Sequence, residues 1–308
     1  MSAPALPYRI VVDGVTKRYE RRNVVDQLSF AVEPGRVTGF LGPNGSGKST
    51  TMKVLVDLAR ADQGTATIGG CRYRDLPDPA GTVGVVLEPN AFHPGRSGRN
   101  HLRILASAAG LPSNRADQVL AAVGLDPDAA QRRVGTYSLG MKQRLSLAAA
   151  LLADPPVLVL DEPANGLDPH GIRELRDVLR ARAALGHTVL VSSHLLAEAE
   201  HLVDDVVVIH RGQLVAAGAV SDLTRASALV RTPSPQRLAE HLRAAGADVQ
   251  PDGGGGLVVT GAGLDLIGDT ALAAGVAVHE LTGGTRTLED VFMSLTTADP
   301  THEEVPAR

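Results

Sequence analysis

Tryptophan is absent from this 308-residue chain, aromatic residues of all kinds make up 3%, and there is a single cysteine. The lone Cys71 excludes an internal disulfide and fits a reducing cytoplasm. So few aromatics, with a formal net charge of −4, leave neither the stacking platform nor the basic stripe that nucleic-acid binders display. A membrane span needs roughly 20 continuous apolar residues. The longest apolar stretch here, Leu145 to Leu160, is broken by Asp154, Pro155 and Pro156. The start, "MSAPALPYRIVVDG", has neither the charged segment nor the apolar run of a secretory signal. The chain is therefore expected in the cytoplasm, reaching a membrane only through a partner.

What is present is enough apolar material, 44% of residues beside 21% charged, for one large domain and a small one. "YRIVVDGV", "VVDQLSFAV" and "RVTGFLG" read as strands separated by charged or Pro-Gly turns, and predict an N-terminal antiparallel β subdomain leading into a core. "KSTTMKVLVDLAR" has helical spacing. Between Pro89 and Leu152 the pattern is helical, with segments near 99–109, 114–123 and 139–152, and predicts an inserted helical lobe. "PVLVLD", "HTVLVSSH" and "DDVVVIHRGQLVAAG" are then read as strands, with the helix "IRELRDVLRARAALG" between the first two. Continuous Val/Leu runs alternating with helices indicate an α/β core with a parallel sheet covered on both faces.

After about Asp222 the style changes. "ALVRTPSPQRLAEHLRAAGADVQPD" reads strand, helix, strand, with Ser234-Pro235 opening the helix and Gly246 stopping it. Four glycines at 253–256 read as a flexible joint, followed by "LVVTG", a helix around 265–274, "VAVHEL" and the helix "TLEDVFMSL". This order predicts a small α+β, ferredoxin-like domain over 227–297, after a first domain of 1–222 and before a frayed tail at 298–308.

Chemistry enters with "GPNGSGKST". It fits G-x-x-x-x-G-K-[ST], follows a predicted strand and opens a predicted helix. Backbone N–H groups of such a loop converge on phosphate oxygens, the helix N-terminus adds positive potential, Lys48 neutralises the outer phosphates, and Ser49 offers an oxygen to Mg²⁺. The expected nucleotide contacts are Gly42, Asn44, Gly45, Gly47, Lys48, Ser49 and Thr50. Such a site needs a buried strand delivering carboxylates, and "VLVLDE" supplies one: Asp161 to hold the metal through water, Glu162 to orient or deprotonate the attacking water. Taken alone, the acid pair would sooner be a helix-capping loop, and His194, ending "HTVLVSSH", a structural strand-end histidine. In an open parallel sheet, however, ligands bind outside the carboxyl ends of the strands.

In this motif order, over about Tyr8 to Gly218, the chain resembles the ATP-binding subunits of ABC transporters, P-loop NTPases. "YSLGMKQRL" is similar to that family's signature segment, with Ser138 and Gly140 at its serine and second glycine, 23 residues before Asp161. The resemblance implies ATP and Mg²⁺ as ligands and a head-to-tail pair of subunits, in which the signature helix of one points at the γ-phosphate held by the other. It implies further that Tyr19 stacks on adenine, that Asp168 of "NGLDP" links the two sites, and that His194 contacts the γ-phosphate. Three positions depart from the family. Glu88 stands where a glutamine is usual, adding a carboxylate near the metal, so it is carried as both a catalytic and a metal-site residue. Leu139 and Met141 replace a glycine and a glutamine of the signature.

These forms, and the C-terminal segment ending "LEDVFMSLT", resemble bacterial exporter subunits for drug efflux, bacitracin resistance and lantibiotic immunity. The implied protein is a homodimeric ATPase peripheral to the cytoplasmic face of the membrane, driving export through a separately encoded permease. That permease would dock near Glu88 to Arg99. The alternative is a soluble ABC-type ATPase acting on nucleic acid or ribosomes; such proteins usually carry two cassettes or a long coiled-coil insertion, and neither occurs here. The segment Ser227 to Thr297 is open to reading as a ligand sensor or as a plain dimerisation or packing module.

Overall fold

The computed structural model describes residues 8–87, 92–224, 226–285 and 287–296. Two compact units divide between Gly218 and Ala219.

The strands of the first unit are β1 (Ile10–Tyr19), β2 (Arg22–Val32), β3 (Val37–Leu41), β4 (Gln63–Ile68), β5 (Val83–Val86), β6 (Val157–Leu160), β7 (Thr188–Ser193), β8 (Asp205–His210) and β9 (Gln213–Ala219). An antiparallel sheet, β2-β1-β4, shares an apolar core with one face of a six-stranded sheet of order β5-β6-β7-β3-β8-β9. One continuous core joins them, with Ile10, Leu28, Phe40, Met52 and Ile68 fully buried. Phe30 of β2 and Phe40 of β3 meet with ring centroids 5.0 Å apart, linking the two sheets.

In the central strands β3, β6 and β7 every residue is buried, as strands covered on both faces require. Their parallel register sets Leu41 opposite Ser193 and Leu160 opposite Val191, so the three carboxyl ends finish side by side. The inserted lobe carries helices Gly98–Ala108, Arg115–Ala122, Pro127–Gln131 and Leu139–Ala150. Ser97, Asp126 and Ser138 cap three of these by accepting N–H bonds from the first turn.

Three local readings of the first unit are corrected. The first helix stops at Leu55 rather than near Arg60, because Asp57 turns left-handed (φ 58°) and Leu58 is left in solvent. "QGTATI" is a strand, β4, that polar composition disguised. "DDVVVIHRGQLVAAG" is two strands, not one: Arg211 and Gly212 both take positive φ, the pairing a tight hairpin turn demands. That turn braces the glycine loop, since Gly212 N donates to the Ser46 carbonyl at 2.9 Å and the Gly212 carbonyl accepts from Asp26 N at 2.9 Å. Further corrections lie in the second unit.

That unit adds β10 (Ala226–Arg231), β11 (Asp248–Pro251), β12 (Leu257–Thr260) and β13 (Glu280–Thr285) in the antiparallel order β11-β12-β10-β13, with its own core around Val230, Leu238, Leu242, Val259 and Ile267. The order is that of a ferredoxin-like β-α-β-β-α-β fold. Its glycine tetrad is a built turn rather than a loose joint: Asp252 Oδ1 accepts from Gly254 N at 2.8 Å and Gly256 N at 2.6 Å, and these two N–H groups hold its carboxyl below the usual range. The last strand begins at Glu280 rather than Val276, because Val276 turns into the core. Ser234 does open its helix, but its hydroxyl makes no capping bond. The tail at 298–308 lies outside the described residues.

A Cβ at Gly212 would lie 2.6 Å from the Val24 carbonyl oxygen, at φ +84°. Gly212→Ala is expected to cost about 2–3 kcal/mol. Gly186→Ala, at φ +83° with open space around it, is expected to cost about 1 kcal/mol. Urea denaturation of the two variants measures the difference, and equal losses would contradict the bracing role of the turn.

Candidate functional site

The loop after β3 turns directly into the helix Lys48–Leu55, and its geometry depends on two glycines. Gly42 (φ 155°) runs so close to the end of β8 that a Cβ would meet the Ile209 carbonyl oxygen at 2.3 Å. Gly47 (φ 105°) passes the Val24 carbonyl just as tightly. The loop therefore wraps a cavity lined by Val24, Asn44, Gly45, Gly47, Lys48, Ser49, Thr50 and Glu162. All the predicted loop residues but Gly42 line it, and Gly42 supplies the carbonyl that holds the lysine.

Lys48 is the electrostatic centre. Only 6% of its side chain is exposed, and Nζ donates to the Gly42 carbonyl at 2.6 Å and the Pro43 carbonyl at 3.3 Å. Burial pushes its ammonium below the usual lysine range, while Glu162 and Asp161 pull the other way. Glu162 Oε1 stands 3.8 Å from Nζ, a loose pairing that leaves room for an anion. The helix behind the lysine carries no acidic residue in its first turn, so its free N–H groups face the cavity with uncompensated positive potential.

The acid pair follows β6. Asp161 is buried, its N–H donates to the Val86 carbonyl at 2.7 Å, and its Oδ1 accepts a very short bond from Ser192 Oγ. The same Ser192 oxygen accepts from Glu162 N at 2.9 Å. Glu162 adopts φ 50°, a left-handed conformation that a glutamate holds only when its neighbours impose it. Its carbonyl accepts from Gln143 Nε2 at 3.1 Å and from Asn165 N at 3.2 Å, and its Oε2 lies 2.8 Å from His194 Nδ1. Glu162 is thus pinned at its N–H, its carbonyl and its carboxylate, and His194 sits on the reactive group as the parallel-sheet argument requires.

Four predicted residues stand apart from the cavity. Tyr19 ends β1 with 48% of its surface exposed and the Lys17 ammonium 5.1 Å from its ring centre. Ser138 and Gly140 begin the helix Leu139–Ala150; Ser138 accepts from Met141 N at 3.2 Å, which leaves its O–H free to donate outward. Asp168 caps the helix Pro169–Ala184, accepting from Gly171 N at 2.7 Å. Glu88 lies outside the described residues.

The structure also accounts for a departure in the signature. Leu139 packs on Gly166, where a Cβ would fall 2.5 Å from the leucine, and a Cβ at Gly140 would meet the Gly166 carbonyl at 2.8 Å. Sequence reasoning missed the contacts of Ser192 and Gln143: the first is a serine in an apolar strand with no motif, and the second lies inside the signature segment, which does not announce that it is almost wholly buried, as both are.

Among the described residues no three His, Cys, Asp or Glu side chains converge to hold a metal by themselves. That suits Mg²⁺, which takes one or two protein oxygens and completes its shell with phosphate and water. Ser49 and Asp161 are the oxygen donors available beside the loop.

A family model described as "ABC transporter" matches residues 25–165, and one described as a domain of unknown function matches residues 226–289. The ABC transporter ATP-binding protein YdbJ of Bacillus subtilis (strain 168) is 33% identical over 95% of this chain and 96% of its own length. The bacitracin transport ATP-binding protein BcrA of Bacillus licheniformis is 41% identical over 67% of this chain and 68% of its own. A solved ATP-binding subunit of an ABC transporter superposes with a TM-score of 0.63 at 30% identity, covering 70% of this chain and 91% of that one. On these likenesses the chain belongs to the ATP-binding proteins of ABC transporters, which bind and hydrolyse ATP.

Proposed function

We propose that two copies of this chain hold two ATP molecules, each with Mg²⁺, at a shared interface, and that closing and reopening of the pair drives export of a compound through a separate membrane permease. The observation that carries this reading is the signature helix. Ser138, exposed at its N-terminus, has no place in the phosphate cavity of its own chain, yet it presents a free hydroxyl and unpaired N–H groups. Those groups form an anion site. A head-to-tail partner would bring its γ-phosphate there.

Within each site the geometry and the family resemblance support a division of roles. Asn44, Gly45, Gly47 and Thr50 line the phosphates, Lys48 neutralises them, Tyr19 offers its ring face to adenine, and Ser49 and Asp161 hold the metal. Bound Mg²⁺ supplies charge neutralisation between the outer phosphates. Glu162 accepts the proton of the attacking water, and its pinned backbone keeps the carboxylate aimed. His194 holds Oε2 of Glu162 and stands where it can sense the γ-phosphate. Asp168, at the head of its helix next to the signature, links the two sites. Glu88 tunes the metal.

No helix among the described residues is long and apolar enough to cross a membrane, and the likeness to a bacitracin transport protein supports a role beside one. We place the chain at the cytoplasmic face, docked through the lobe near Arg99. A lipid-facing permease would co-purify with it.

Lys48→Ala is expected to abolish ATP binding in calorimetry, because no other cation lines the cavity among the described residues. Retained binding would overturn the phosphate assignment. Glu162→Gln keeps shape and removes the base: turnover should fall at least about 100-fold, and an ATP-dependent dimer should accumulate in size-exclusion chromatography with light scattering. A monomer at saturating ATP would count against the shared interface.

A further inference from the structure

Gln143 stands five residues into the chain from Ser138, in the second turn of the signature helix, among the buried Leu145, Leu147 and Ala148. An amide there needs a reason, since burying one without partners costs about 1–3 kcal/mol. Only 3% of Gln143 is exposed, and its Oε1 makes no hydrogen bond among the described residues. Its Nε2 makes one, to the carbonyl of Glu162 at 3.1 Å. Leucine or methionine would fill this helix position without leaving an acceptor unpaired. The side chain is retained at a cost to packing, and what it reaches is the backbone of the residue that carries the reactive carboxylate.

That backbone is in the left-handed region, at φ 50°. Ser192 fixes its N–H side and Gln143 its carbonyl side, so a shift of the signature helix along its axis turns the Glu162 peptide. The helix is a stiff rod: from Ser138 to Gln143 it runs only about 7 Å, and its first turn is wedged against Gly166 by Leu139 and Gly140.

We propose that Gln143 is a positioning residue that transmits engagement of Ser138 on the partner's nucleotide to Glu162 of its own chain, so that occupancy of one composite site sets the base of the other. This rests on the head-to-tail pairing proposed above. Coupling of this kind makes hydrolysis cooperative in ATP, with a Hill coefficient approaching the number of linked sites.

The test is steady-state ATPase kinetics of the full chain as wild type and as Gln143→Met, which keeps volume and removes the donor. The wild type should show a Hill coefficient above about 1.5. The variant should fall toward 1 with kcat at least about tenfold lower, while ATP affinity by calorimetry and the melting midpoint stay unchanged. Gln143→His, whose Nε2 can reach the same carbonyl, should regain most of the cooperativity; if the methionine variant does not fold, the same readouts on Gln143→Glu, an acceptor in place of a donor, decide. Wild-type Hill coefficient and kcat in the variants, or a non-cooperative wild type, overturn the proposal. ATP-driven dimerisation is measured in parallel on Glu162→Gln with and without Gln143→Met. A dimer in both leaves the pairing intact whatever the kinetics show, and no dimer in either sinks the pairing and the coupling together.

Discussion

Burying an ammonium costs several kcal/mol unless opposite charge and hydrogen-bond acceptors surround it, and the architecture around Lys48 answers that requirement. Two loop carbonyls take its protons, Glu162 approaches to 3.8 Å, and Asp161 lies behind. The compensation is incomplete, because its charge is still disfavoured by burial. A polyphosphate completes it, so the loop is already biased toward that anion. The close approach of Gly42 and Gly47 to neighbouring carbonyls is what brings the loop around the lysine.

Charges from three chain regions, around Lys48, Glu162 and His194, can meet only because parallel strands end together. Leu41 beside Ser193 and Leu160 beside Val191 put the glycine loop, the acid pair and His194 on one rim. Ser192 is the joint of that rim, touching both acids at once. The signature helix approaches from outside it, bonded to the rim through Gln143 yet presenting its N-terminus elsewhere. In the proposed pairing, a single chain holds one nucleotide in its own cavity and offers the signature helix to its partner's.

Much of this was legible before any coordinates. The glycine loop, the strand "VLVLDE" and the helical lobe declare themselves because their chemistry demands specific residue types at fixed spacing. The C-terminal β-α-β-β-α-β order was readable from hydrophobic pattern alone. What escaped was cooperative in space rather than in sequence. β4 is polar because half of it faces water, and only its pairing with β1 makes it a strand. The Arg211–Gly212 hairpin sits inside an apolar run whose two halves pattern alike. Asp252 turns four glycines into a fixed turn through N–H bonds that composition does not reveal. Ser192 and Gln143 act through backbone groups of Glu162, contacts that neither the strand pattern nor the signature segment announces.

The central claim is that one nucleotide is gripped by two chains, and the sharpest measurement is an intermolecular cross-link. In a background of Glu162→Gln and Cys71→Ser, one population carries Ser138→Cys and a second carries Asn44→Cys, and mild oxidant is added with and without ATP. The account predicts a disulfide between the two populations that forms in the mixture, requires ATP, and is lost with Lys48→Ala. No ATP-dependent link between chains at saturating nucleotide would contradict it.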